Sequence, residues 1–223
     1  MKKGIVLAVA IVAGLIGHSQ IRIGVYGAGS LSKASFTKDE GLAITSKPVY
    51  APSGGVVADI PLSEKFSIRP SLGVIQKGVK ATATGTDGTV TGIVKSDIKM
   101  NYAEMPVLLT FKKQAGNTTL VVGAGPSFGL GMGGKLKTAS YLDNIPDPLF
   151  TFEANPFKKS DHIDEPFKRF DFSASAMIGA EFKNGFFISA NYLHGLSNIS
   201  GSSQDSKFRN RTASVGIGYF FGR

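Results

Sequence analysis

The side chains that could support catalysis or bind a metal are His162, His194 and the polar residues beside them. Residues 161–165, Asp-His-Ile-Asp-Glu, combine carboxylates with an imidazole, but they lack the spacing of a metal-ligand set. His194 and Ser197 lie close together near a predicted external rim and could act as base and nucleophile, yet no carboxylate occupies an obvious third position. The chain contains no cysteine, which excludes thiolate metal sites and disulfides. We therefore predict no metal site and no enzyme, with His-based modification of lipid A as a minor alternative.

A glycine-rich run at residues 129–134, Gly-Leu-Gly-Met-Gly-Gly, has the spacing of a dinucleotide-binding fingerprint. That fingerprint requires a strand before it and a helix after it, within a βαβ unit. Neither the helix nor the unit is indicated here, so the sequence predicts no cofactor. The glycines fit better as small residues on one face of a strand.

Isolated charges interrupt several apolar or glycine-rich segments: Arg22, Asp59, Arg69, Lys77, Glu104, Asp171 and Glu181. They could form the selectivity lining of a pore, or ion pairs that fill a narrow lumen. Because a buried charge is tolerated only when it is paired, we favour ion pairs. Arg69 and Glu104 lie on neighbouring predicted strands and are the expected pair. Replacement of Glu104 by leucine should then leave Arg69 unpaired and destabilise the protein.

The segments that carry these charges alternate with a period of two, which is typical of β-strands. The clearest example is residues 55–80, GVVADIPLSEKFSIRPSLGVIQKGVK, two alternating runs around a polar turn. One face of each run is apolar, and the other mixes charge with glycine. A membrane barrel places such an apolar face against lipid.

Eight segments show this alternation, and the connections between them are long and short in turn. The predicted strands are residues 21–29, 55–60, 66–77, 99–111, 118–131, 169–182, 186–194 and 208–221. The predicted long loops are residues 31–50, 78–99, 133–168 and 195–207. A lipocalin-like barrel also has eight strands, but its outside is polar and its apolar face lines a cavity. We predict an all-β fold: an eight-stranded antiparallel up-and-down transmembrane β-barrel with short periplasmic turns and long extracellular loops.

The first twenty residues resemble an export signal. Lys2 and Lys3 precede an apolar run from Ile5 to Ile16, which a small and polar segment follows. The run is shorter than a spanning helix requires. We predict a cleaved signal peptide at 1–20, a barrel domain at 21–223, and location in the bacterial outer membrane.

The formal net charge of +9 suggests an anionic partner. No recognition helix and no aromatic–basic platform is indicated, so nucleic acid is not expected. Basic residues cluster instead at the predicted outer rim: Lys168, Arg169, Lys207, Arg209 and Arg211. We predict contact with outer-membrane lipid and with lipopolysaccharide phosphates there. A solvated charged rim remains the alternative.

The segment GVVADIPLSEKFSIRPSLGVIQKG resembles the signature hairpin of the PorT-like outer-membrane β-barrel family, which is common in Bacteroidetes. Residues 101–106, Asn-Tyr-Ala-Glu-Met-Pro, and 123–126, Gly-Ala-Gly-Pro, are similar to other parts of that family, as are residues 169–172, 192–199 and 210–221. The resemblance implies a porin-like barrel and a tie to a secretion apparatus. Our expected function is a structural or interaction role through the extracellular loops or a secretion partner. A small passive channel is the alternative.

Overall fold

A computed structural model describes residues 21–36, 43–87, 90–143, 145–201 and 207–221. The predicted signal peptide at 1–20 lies outside the described residues. The strands are β1 (Arg22–Phe36), β2 (Ala43–Pro61), β3 (Phe66–Asp87), β4 (Val90–Ala115), β5 (Thr118–Leu142), β6 (Ile145–Ala154), β7 (Phe170–Phe182), β8 (Phe186–Gly195) and β9 (Phe208–Phe221).

Eight of the strands close into an antiparallel ring. The order β4-β3-β2-β1-β9-β8-β7-β5 is completed by pairing of β4 with β5. Val25 on β1, for example, lies opposite Val56 on β2 and Tyr219 on β9. The remaining strand, β6, pairs with β5 alone and lies at the edge of the sheet. Closure leaves no free edge within the ring itself.

Alternation along each strand separates two environments. On β9, Thr212 and Phe220 point into the ring and are buried, whereas Val215 and Ile217 point outward and are 70% and 56% exposed. Charged and small residues therefore fill the interior, and large apolar residues cover the outside. Among the described residues, no helix is long and apolar enough to cross a membrane.

Tight turns join the strands at one end of the ring. The β4–β5 turn uses Gly116 at φ +61°, and the β7–β8 turn uses Gly185 at φ +90°. Positive φ is readily adopted by glycine, so both turns suit their sequence. Residues 183–185, which separate the predicted strands 169–182 and 186–194, form such a turn, and their Asn-Gly pair favours it. The start of β1 and the end of β9 lie at this same end, since Ile23 pairs with Phe221.

The prediction of eight strands missed one strand, and several of the predicted long loops are wrong. Residues 31–50 and 78–99 largely extend β1 to β4, and residues 133–168 include the rest of β5 and all of β6. Apolar alternation had been the criterion for a strand. These extensions mix polar and apolar residues without a regular alternation, and their pairing rests on backbone hydrogen bonds that alternation does not reveal.

The extensions of β2 to β5, together with β6, form a five-stranded sheet that we call the arm: residues 43–48, 79–87, 90–98, 136–142 and β6. The arm begins where the ring pairings end, at Ser32 opposite Val49 and at Leu130 opposite Phe170. β4 alone has 26 residues, more than twice the roughly 9–11 that cross a membrane as a strand. The arm therefore continues well past the ring.

Candidate functional site

A layer of paired charges fills the ring near the tight turns, and Asp59 is its centre. The Asp59 carboxylate lies 2.7 Å from Arg22, 3.0 Å from Arg69 and 2.5 Å from Lys112, and it accepts a hydrogen bond from Ser67. Side-chain exposure is zero for Asp59 and 5% for Arg69. One fully buried carboxylate thus pairs with three cations, and we call this group the lower charge layer.

Glu181 completes the lower charge layer. Its carboxylate binds Arg69 and lies 2.6 Å from Arg22. Both guanidinium groups also lie over the ring of Phe220, with Arg22 at 4.5 Å and Arg69 at 5.3 Å from its centroid. Aromatic contact stabilises cations that have lost their water.

A second group of charges, the upper charge layer, lies farther along the ring. The Lys77 ammonium is 2.8 Å from Glu104 and 3.0 Å from Asp171, and all three side chains are buried. Ser127 donates to Glu104, while Asn210 and Ser197 donate to Asp171. These hydrogen bonds satisfy carboxylate oxygens that burial would otherwise make costly.

All seven charges predicted to face inward lie in these layers, but the predicted pair of Arg69 with Glu104 is wrong. Arg69 pairs with Asp59 and Glu181, and Glu104 pairs with Lys77. Strand adjacency suggested the original pair. Long side chains reach along the lumen instead, so that Lys77 meets Glu104 although Gly73 is the backbone partner of Glu104.

The prediction also missed Lys112, which binds Asp59 although it was placed in a turn. The signal was available in the sequence, because the inward alternation of Glu104, Leu108 and Thr110 reaches Lys112 if the strand is continued. Its interior partner could only be identified in the folded ring.

A cavity of about 90 Å³ separates the two charge layers. Arg69 borders it at one side and Glu104 at the other. Between them, uncharged polar and apolar groups share the wall, including Ser53, Ser71, Ser175, Ser189, Asn191, Val57, Met177 and Phe187. This volume is well above the roughly 10–15 Å³ that a single water molecule requires.

Apolar side chains close the ring above the upper charge layer. Phe157, from the segment between β6 and β7, is 5% exposed and packs edge-on against Tyr102 at 5.6 Å. A side chain at Gly131 would meet the Phe157 ring at 2.4 Å, so glycine makes room for it. Ile199 and Phe208 belong to the same buried cluster. This plug and the two charge layers fill most of the lumen.

The histidines occupy separate environments. His194 lies on the outward face of β8 opposite Arg211, whereas the Ser197 hydroxyl donates to Asp171. The two side chains therefore form no catalytic pair. His162 stacks on Phe152 at 4.7 Å. Among the described residues, no cluster of His, Asp and Glu is arranged to hold a metal ion.

The basic residues predicted at the rim are all exposed, and they lie where the ring ends. Arg209 and Arg211 face outward on β9, opposite Ser35 and Lys33 of β1. Arg169 donates to the Gly131 carbonyl at 3.1 Å. Lys168 and Lys207 lie just before β7 and β9.

Exposed apolar side chains form a continuous outer surface, which we call the apolar belt: Ile23, Val25, Val56, Leu72, Val74, Met105, Leu109, Leu120, Val122, Leu130, Ile178, Ile188, Val215 and Ile217. Aromatic rings border the belt at the tight-turn end, where Phe66 packs on Phe111 at 5.4 Å and Phe186 on Tyr219 at 5.1 Å. Outer-membrane barrels have such a band and such aromatic girdles. A water-soluble monomer rarely exposes an apolar surface of this extent.

Residues 17–201 match the family model described as outer membrane protein beta-barrel domain. The chain belongs to this family. The ring is accordingly the barrel of an outer membrane β-barrel protein, and the general part of the fold prediction, an all-β outer-membrane barrel, is confirmed. No curated protein matches the chain significantly.

Two solved structures are similar to this barrel. The outer membrane protein OprG from Pseudomonas aeruginosa is 12% identical, with 94% of this chain and 100% of that chain covered and a TM-score of 0.46. Ail of Yersinia pestis, solved with the heparin analogue sucrose octasulfate, is 16% identical, with 91% and 99% covered and a TM-score of 0.38. At these scores neither structure informs the function of this chain.

Proposed function

We propose that this outer membrane protein is an integral barrel with a closed lumen, and that its arm acts outside the membrane as a structural or interaction surface. We further propose that it is exported through a cleaved signal, belongs to the PorT-like group and works with other envelope or secretion proteins. No catalytic role is part of this proposal. Its partners would be proteins and outer-membrane lipid.

The observation that carries this proposal is the contrast between the filled barrel and the extended arm. Two charge layers and the Phe157 plug occupy the lumen, which leaves little room for solute passage. The arm instead exposes a wide polar sheet, with ion pairs such as Lys137–Glu153 at 3.1 Å on its surface. The filled lumen would hinder the transport of solutes, whereas the exposed arm offers a surface for contact with other molecules.

The orientation that we propose follows from the connections. Three tight turns and both ends of the described barrel lie at one end, as is usual on the periplasmic side of outer-membrane barrels. The arm would then lie outside the cell. Because the chain has no cysteine, single-cysteine variants give an unambiguous test. A membrane-impermeant maleimide should label Thr82→Cys on intact cells, but should label Ser63→Cys in the β2–β3 turn only after lysis.

A passive channel is the second candidate, and the cavity of about 90 Å³ between the charge layers is the observation that favours it. The refolded protein should be measured in a planar bilayer, with folding verified by a heat-dependent gel shift. We expect a silent bilayer. Steady unitary currents would overturn the closed-lumen proposal and favour the channel.

In the labelling experiment, reaction of Ser63→Cys with the impermeant maleimide on intact cells would overturn the proposed orientation.

A further inference from the structure

Basic side chains lie on the outer face of six of the eight ring strands, at the level where the apolar belt ends. On β1 the outward residues run from Ile23 and Val25 to Lys33, and on β9 they run from Ile217 and Val215 to Arg211. The outward residues change from apolar to basic also on β3 at Lys80, on β4 at Lys99 and on β5 at Lys135. With Lys47 of β2, these residues form what we call the basic collar.

The collar contains like charges placed directly opposite each other. Lys33 lies opposite Arg211, Lys47 opposite Lys80, and Lys99 opposite Lys135. Like charges in such cross-strand positions destabilise a sheet. The arrangement recurs on three strand pairs, and an external anion that binds there would remove the repulsion.

Acidic neighbours in the described part of the chain compensate the collar only weakly. Asp97 lies 3.7 Å from Lys80 and 3.6 Å from Lys99, and Glu153 lies 2.5 Å from Lys135. The exposed fractions of these three lysines are 53%, 40% and 54%. Exposed pairs of this kind contribute little. Within the described residues, Lys33, Lys47 and Arg211 form no ion pair. Among the described residues, the six basic side chains of the collar therefore outnumber their two acidic neighbours, Asp97 and Glu153.

The arm adds a recess to this surface. A cleft of about 750 Å³ opens beside the collar, and four lysines and two carboxylates border it: Lys47, Lys80, Lys95, Lys137, Asp97 and Glu153. The Lys95 ammonium lies over the Tyr141 ring at 4.7 Å, which fixes its position at this cleft. A phosphorylated headgroup in this cleft would lie close to the ammonium groups of its four lysines.

We propose that the basic collar binds the phosphate groups of outer-leaflet lipids of the lipid A type. The inference rests on the proposed function in one respect, since it requires the apolar belt to lie in lipid. Lipid phosphates occur at the boundary of the hydrocarbon region, which is the level of the collar. A soluble polyanion would need only a patch on one side, whereas this charge is distributed over β1 to β5 and β9. The sequence predicted lipid contact at the rim of β9, through Arg209 and Arg211. The collar extends this predicted contact to β1 to β5.

The test uses the refolded full chain in phosphatidylcholine vesicles with increasing mole fractions of lipid A. Ligands that bind the folded state stabilise it, so the urea midpoint of unfolding reports binding. The collar variant combines Lys33→Gln with Lys47→Gln. The control combines Lys158→Gln with Lys159→Gln, which removes equal charge beside the plug, where the Lys159–Asp164 pair is highly exposed.

Each basic residue near an anionic surface strengthens the attraction roughly fivefold. The collar variant should therefore need roughly 20-fold more lipid A for half of the stabilisation, whereas the control should match the unaltered protein. Without lipid A, the collar variant should be at least as stable as the unaltered protein, because repulsion has been removed. High salt should reduce the lipid A effect.

Equal lipid A dependence in all three proteins would overturn the proposal, as would an equal loss in the control. Deacylated phosphorylated saccharide serves as a further probe. If it stabilises the protein as strongly as lipid A does, the collar is a site for soluble glycans and the assignment to lipid is wrong. Failure of the unaltered protein to enter phosphatidylcholine vesicles would instead contradict the proposed membrane barrel.

Discussion

The Lys77 ammonium lies 2.8 Å from the Glu104 carboxylate inside the barrel, with side-chain exposures of 0% and 5%. The two residues come from neighbouring strands but are not backbone partners, because Lys77 is opposite Met100. Burial of a charge at this depth is tolerated only where opposite charges lie beside it. The upper charge layer is thus a unit whose members depend on one another.

Replacement of Lys77 by methionine should be the most damaging change in this layer. It leaves Glu104 and Asp171 buried close together without a cation, and breaking a buried pair costs about 3–5 kcal/mol. Glu104→Gln should cost less, because Lys77 keeps Asp171. Urea unfolding in vesicles, followed by far-ultraviolet circular dichroism, measures both values. The double variant Lys77→Met with Glu104→Gln should recover part of the loss, and strict additivity would contradict the pairing.

Asp59 should matter more than Glu181 in the lower charge layer. Asp59 forms ion pairs with Arg22, Arg69 and Lys112, whereas Glu181 forms them with the two arginines. Asp59→Asn is therefore expected to reduce the free energy of unfolding by about 3–5 kcal/mol, and Glu181→Gln by less. The same unfolding experiment ranks them. A larger loss for Glu181→Gln would show that Asp59 is not the centre of the layer.

The contact of Gly131 with Phe157 predicts a compensating pair of substitutions. Gly131→Val should expel Phe157, because the new side chain would overlap its ring. We expect residues 155–169 to become sensitive to protease in this variant. Phe157→Ala alone should reduce the free energy of unfolding by about 3–5 kcal/mol. In the double variant the two losses should be clearly less than additive. Full additivity would mean that the plug does not rest on Gly131.

Glu153 on the arm should titrate below the ordinary value of 4.5, because hydrogen bonds from Lys135 and then Lys137 lower its pKa. A lowered folded pKa means that this carboxylate stabilises the arm above its unfolded pKa, and that the contribution is lost as the pH falls through the folded pKa. Glu153 is fully exposed, so the effect on stability is small. A chemical-shift titration measures the midpoint. Lys135→Gln with Lys137→Gln should raise it, and Lys158→Gln should not.

The barrel wall was predictable from the sequence because lipid and lumen impose opposite chemistry on alternate residues. Ile217 and Gly218 are neighbours in the chain but face these two environments, and the period of two records that difference. The same periodicity placed Asp59, Lys77 and Asp171 on the inner face. Tight turns were also readable, since the Asn184-Gly185 pair favours them.

The arm and the actual ion pairs required the tertiary structure. Thr82 and Lys95 lie in segments where polar and apolar residues do not alternate regularly, so the sequence did not mark these segments as strands. Alternation likewise assigns Arg69 to the lumen but not to a partner, because long side chains can reach several strands. Only closure of the ring brings Glu181 of β7 to Arg69 of β3. The pattern in the sequence determined which side each residue faces, and the closed geometry decided what it meets there.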